Sequence, residues 1–181
     1  MTSFVLLLRG VGGRVQVAPR LLRAVLGAEG FDRVRVIGHT GNAVLDCSLA
    51  SEEVAARAAG ALLREIGFRN DLQVVSGVEW LEIVAGNPFP SATARDGALH
   101  VAVMGAEPDP ARVAALSTLG DGEDGIVVRG RVAYLHAPHG FRQSRIANRF
   151  DRGIGVPSTT RSWAVVLKLH ALLDPVPAEA G

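Results

Sequence analysis

Arg33-Val34-Arg35-Val36-Ile37, the turn His39-Thr40-Gly41-Asn42, and Ala43-Val44-Leu45-Asp46 together decide how this chain folds. Two short β-branched runs on either side of a tight Gly-Asn turn spell a hairpin. Upstream, Leu21, Leu22, Val25 and Leu26 form an apolar stripe that predicts a helix over Pro19 to Ala28, with Gly30 just past its end. Before it, the apolar run Ser3 to Arg9 reads as a buried strand stopped by a glycine cluster. Downstream, Ser51 is expected to cap a second helix, with Glu52 and Glu53 in its first turn. Val54, Ala58, Leu62 and Ile66 recur at helical spacing up to Gly67. Leu72 to Val75 supplies one more strand, completing the order β-α-β-β-α-β of a ferredoxin-like split βαβ unit.

The second half echoes this order. A short helix near Val78 to Val84 and a Pro-rich connector from Asn87 to Gly97 lead to a strand at Leu99 to Met104. Asp109 then caps a helix with Pro110 at its first position, and Ile126 to Arg129 pairs with Val132 to His136 across Gly130-Arg131. Helices follow around Gln143 to Arg152 and from Arg161 to Leu173. The expected fold is therefore α+β, with two ferredoxin-like α-β plait halves. The second is incomplete or modified, β-α-β-β-α-α, its last strand missing or replaced. Residues 1–76 make the first half, 77–97 a helix and connector, 98–174 the second half and 175–181 a frayed tail.

The 181 residues carry a formal net charge of only +1, yet the charge is segregated. Gly125 to Leu173 hold eight basic side chains and the single acid Asp151, whereas Ile37 to Asp124 hold five basic and thirteen acidic ones. Such a field collects an anion. With 48% hydrophobic residues the chain has ample material for a core, and no apolar run is long enough for a membrane helix. Cys47 is the only cysteine, which excludes an internal disulfide and suits a small buried residue in a cytosolic protein.

Three segments are candidate sites. Gly10, Gly12 and Gly13, after a strand and beside Arg9, could bring backbone N–H groups to a phosphate. The same glycines serve a plain turn, and Val15 breaks the dinucleotide fingerprint. Asn42 could offer an amide to a ligand or complete the hairpin. In Ser158-Thr159-Thr160-Arg161-Ser162-Trp163, hydroxyls at a helix start with Arg161 could clamp an anion and Trp163 could stack on it. Otherwise Thr160 lies in a capped helix whose Trp163 is core.

Arg142, Arg145, Arg149 and Arg152 are spaced three, four and three apart, along one face of a predicted helix. A solvated face, the acids Glu52, Glu53, Glu65 and Asp71, or an external anion would each compensate that row. Few aromatics interleave the strands, which argues against sequence-specific RNA reading. His136-Ala137-Pro138-His139 shows no third metal ligand, and no Gly-x-Ser-x-Gly elbow occurs, so neither a metal nor a cofactor nor a hydrolase triad is read.

Four motifs in order, Leu8-Arg9-Gly10-Val11-Gly12-Gly13, Thr40-Gly41-Asn42, Asn87-Pro88-Phe89 and Thr159-Thr160-Arg161-Ser162-Trp163 with Lys168-Leu169, resemble the bacterial domain of unknown function 1697 family. The resemblance spans nearly the whole chain and implies a two-part α+β protein with ferredoxin-like plaits, with no activity to carry over. The family pattern is two residues longer in the first motif, with Ile-Asn inserted, and reads Ser-Gly-Asn and Arg-Asn-Trp-x-Thr later. Here Thr40, Ser162 and Val165 take those places.

Three functions follow from these residues. The first is a module binding an anionic small molecule or nucleic acid at an Arg-rich surface. The second is an enzyme holding a small anionic substrate between the halves, at Gly10 to Gly13, Asn42 and Arg161. The third is a self-associating protein whose acidic and basic regions pair in a homo-oligomer.

Overall fold

A computed structural model describes residues 1–120 and 122–173, so the expected tail at 175–181 lies outside the described residues. Thr2–Leu8 (β1) is buried from Phe4 onward and sits between two partners, which is why it is a nearly continuous apolar run. Helix α1 spans Pro19–Ala28, the hairpin strands are Asp32–Ile37 (β2) and Asn42–Cys47 (β3), α2 is Ser51–Ile66 and β4 is Leu72–Ser76. The four strands form one antiparallel sheet in the order β2-β3-β1-β4. Phe4, Leu6, Ala43 and Leu45 on one face pack with Leu22 and Leu26 of α1 and with Val54, Ala58 and Leu62 of α2. Ala50, not Ser51, holds the N-cap position of α2 and has no side-chain cap, so the expected Ser51 cap is corrected; Gly67 ends the helix in the left-handed region as anticipated.

Helix α3 (Gly77–Ala85) and a 3-10 turn at Pro90–Ala94 precede β5 (Leu99–Met104). Helix α4 is Pro110–Ser117, β6 and β7 are Gly125–Arg129 and Val132–His136, α5 is Arg145–Gly153, β8 is Ser158–Ser162 and α6 is Trp163–His170. Strands β5 to β8 form a second antiparallel sheet in the order β6-β7-β5-β8. Ala102, Met104, Ala133 and Leu135 pack with Leu116 of α4 and with Ile146 and Phe150 of α5.

The expected incomplete second half is therefore corrected. Residues 158–162 are a strand, and the order before α6 is β-α-β-β-α-β, as in the first sheet. Ser-Thr-Thr-Arg-Ser shows no apolar alternation, but its β-branched threonines suit a strand and β5 supplies its backbone partners. The last helix accordingly begins at Trp163, not Arg161.

Two compact units result, one of Met1–Val84 with Lys168–Gly181 and one of Ala85–Leu167. Helix α3 up to Val84 belongs to the first unit, its last residue Ala85 and the connector to residue 97 belong to the second, and α6 starts in the second and ends in the first.

Candidate functional site

Asp109 and Ser144 begin the two helices that build the site. The Asp109 carboxylate accepts from the Ala111 N–H at 2.8 Å, with Pro110 preset at the first helical position, and Ser144 Oγ accepts from the Ala147 N–H at 3.1 Å. Leu116 approaches α5 so closely that a Cβ on Gly153 would stand 2.7 Å from its Cδ2. On α5, Ile146, Ala147 and Phe150 are buried, which turns Arg145, Asn148, Arg149 and Arg152 outward.

A groove of about 1000 Å³ runs between α4 and α5. Its apolar lining comes from Ala111, Ala115, Leu116 and Leu119. Its basic lining comes from Arg112 on α4 and from Arg145, Arg149 and Arg152 on α5, with Asn148 beside them. Among the described residues none of these four arginines lies within 4.0 Å of a carboxylate oxygen. Asp151, the one acid of α5, accepts from Ser158 Oγ at 2.9 Å and so ties the helix to β8. Four guanidinium groups around one concavity raise the local potential and offer forked donors for a carboxylate or phosphate.

The acids weighed above as one compensation for the row lie in the first unit, whereas the arginines belong to the second. Asp71 pairs with Arg9 at 3.3 Å, Glu65 pairs with Arg64 at 3.3 Å, and Glu52 and Glu53 are exposed in the first turn of α2. The row itself is shorter than its spacing suggested. Arg142 precedes the helix, its C=O accepts from Asn148 Nδ2 at 2.8 Å, and it does not line the groove. Arg112 was not legible as a site residue, because it lies in the acidic stretch of the sequence. The one available signal was the small residues Ala111, Ala114 and Ala115 around it on the predicted helix.

The other candidate residues fall in different places. Gly10, Gly12 and Gly13 all have positive φ, at 68°, 133° and 58°, so the glycines there satisfy a tight turn. The Gly12 N–H donates to the Val15 C=O at 2.7 Å, and Asn70 Nδ2 donates to the Arg9 C=O at 3.3 Å. Asn42 is 1% exposed and its amide donates to Thr40 Oγ1 at 2.9 Å, within its own hairpin. Thr160 and Arg161 stand in β8 instead of at a helix start, which corrects the expected capped anion clamp. Burial lowers the Arg161 pKa to about 10, and one of its N–H groups donates to the Thr160 C=O at 2.9 Å. Trp163 is buried. Gly10 to Gly13 and Asn42 belong to the first unit, whereas Arg142, Arg145, Arg149, Thr160, Arg161 and Trp163 belong to the second.

An ion pair at a buried carboxylate was outside the sequence reading, and the two histidines weighed there are placed by the structure. Asp46 is 1% exposed yet accepts from Ser3 Oγ at 2.6 Å and is paired with Arg33, whose φ of 43° lies at an irregularity in β2. His136 stacks on Phe89 with ring centroids 5.1 Å apart, while His139 contacts Glu123, so the two histidines do not converge. Among the described residues no group of three potential metal ligands occurs, and no helix is long and apolar enough to cross a membrane.

Residues 1–134 match the family described as Protein of unknown function (DUF1697). The chain belongs to the DUF1697 family. The match ends within β7, so this DUF1697 protein carries α5 and its arginines beyond the matched residues. In fold it is similar to the conserved bacterial protein SP0830 from Streptococcus pneumoniae, with a TM-score of 0.66 and 18% identity. That similarity covers 94% of this chain and 97% of the other. Among curated proteins none matches the sequence.

Proposed function

We propose that this DUF1697 protein is a binding module that takes a phosphate- or carboxylate-bearing ligand in the α4–α5 groove. The observation that carries the reading is the convergence of Arg112, Arg145, Arg149 and Arg152 on one partly apolar concavity, with no carboxylate oxygen of the described residues within 4.0 Å of them. Like charges at i and i+4 on a short helix repel, and a row of this kind is relieved when an anion enters. The volume is at the upper end of ligand pockets, roughly 300–1000 Å³, and hydrophobic lining with a few placed polar groups is their common composition. We read each unit as a ferredoxin-like plait, with the helices of the second presenting the groove, and the protein as cytosolic.

The test is a fluorescence-anisotropy titration at low salt against labelled single-stranded DNA, duplex DNA, RNA and an acidic peptide, with pyrophosphate as competitor. Binding that weakens steeply with salt and is lost in Arg145→Glu/Arg149→Glu supports the reading. Failure of every anionic probe to bind at low salt ends it.

A further inference from the structure

The first unit contains a smaller version of this groove, and there a carboxylate already pairs with the arginines of the second helix. Between α1 and α2 lies a smaller cavity of about 330 Å³, lined by Leu21, Ala24 and Ala28 and by Glu29 and Arg64. Glu29, at the C-terminal cap of α1, accepts from Arg64 Nη2 at 2.8 Å and from Arg57 Nε at 3.3 Å, and its C=O accepts from Arg57 Nη2 at 2.9 Å. Arg57 and Arg64 stand seven residues apart, two turns along one face of α2. In the second sheet α4 and α5 take the places of α1 and α2 in the same element order. Arg145 and Arg152 repeat the seven-residue spacing on α5, with Arg149 between them. At the C-terminal cap of α4, however, stands Thr118, which brings no carboxylate.

Resting on the reading above, we infer that the α4–α5 groove receives an acidic amphipathic helix of a partner protein, whose carboxylates take the role that Glu29 plays in the first unit. A helix seated between two helices presents side chains at i, i+3, i+4 and i+7, which is the rhythm of Arg145, Arg149 and Arg152. Its apolar face would cover Ala111, Ala115 and Leu119, the part of the groove that a purely charged ligand leaves wet. A single-stranded nucleic acid is the less suited occupant. Such sites join a basic groove to aromatic platforms, and no aromatic residue lines this one.

The test uses the full chain and a labelled peptide with leucine on one helical face and glutamate at i, i+4 and i+7. An oligonucleotide and inorganic phosphate serve as the other probes. Peptide binding is expected at low salt. It should fall about tenfold or more in Arg145→Glu/Arg149→Glu and, separately, in Ala115→Asp, whose side chain would enter the apolar lining from an exposed helix position. A peptide with lysine in place of glutamate should recover affinity for Arg145→Glu/Arg149→Glu, a gain that misfolding cannot mimic. Oligonucleotide or phosphate binding without peptide binding would overturn this inference and leave the anion-binding reading standing. Peptide binding indifferent to Ala115→Asp or to the charge reversal also overturns it, and no binding by any probe removes both.

Discussion

The side chain of Arg112 lies across the backbone of Gly155, where an added Cβ would stand 2.7 Å from the arginine Cδ and Nε. Gly155 has a φ of 80°, and the Arg112 guanidinium donates to the Gly153 C=O at 3.3 Å. The turn after α5 thus holds in place the arginine that α4 contributes to the groove. Gly155→Ala is expected to lower stability by about 1 kcal/mol or more, because alanine resists a positive φ. It should also weaken anion binding as Arg112→Ala does. Denaturant midpoints and the anisotropy titration separate the two effects. Unchanged affinity in both variants would remove Arg112 from the site.

The helix caps carry a second expectation. Ser144→Ala and Asp109→Ala each remove a side-chain acceptor from a helix start and should cost about 0.5–2 kcal/mol. Replacement by Asn at either position should restore most of the loss, since Asn caps as well. Thermal unfolding of the four variants provides the comparison.

Asp46 sets up a third. A buried carboxylate that accepts from Ser3 and Arg33 is expensive to leave without its donors. Ser3→Ala should cost about 1 kcal/mol, and Asp46→Ala about 1.5–3 kcal/mol because its hydrogen bonds involve a charged acceptor. Arg33 is half-exposed and can return to water, which keeps the second figure below that of a fully buried pair. Urea unfolding with an unchanged m-value would confirm that both act on stability alone.

His100 supplies a pH dependence. Its ring packs on Phe141 with centroids 4.1 Å apart, and among the described residues its Nδ1 has no hydrogen-bond partner. Burial pushes its pKa down to about 4, against the opposing charge of Asp96. In the unfolded chain the group titrates near its ordinary value of about 6.5, so between these values the unfolded state binds more protons than the folded one. The contribution to stability is complete above pH of about 6.5, declines as pH falls toward 4, and is level below that. His100→Gln should flatten this part of the stability profile, as measured by chemical denaturation across the range. An identical slope in the variant would assign the dependence to other groups.

How much of the fold was legible can be judged from particular elements. The hairpin around Gly41 and the capped start at Asp109-Pro110 are local, so their signals lie within a few residues. Strand β8 was not legible: Ser158 to Ser162 carry no apolar alternation, and their strand character comes from pairing with β5. Ser51 looked like a cap and sits one residue inside the helix, because the backbone turns at Ala50. The same division holds for the site. The spacing of Arg145, Arg149 and Arg152 is a property of α5 alone, but Arg112 is 33 residues away from Arg145 in the sequence and reaches the groove through helix packing.

Composition, periodicity and turn chemistry were enough to specify a mixed α/β chain with segregated charge and most of its element order, since those are short-range properties of the backbone and of side-chain pattern. Which arginines lie beyond 4.0 Å of every described carboxylate, which donors are used within turns, and where the α4–α5 groove lies followed from packing. A charge acts through the carboxylate beside it in space, and no sequence separation states that distance.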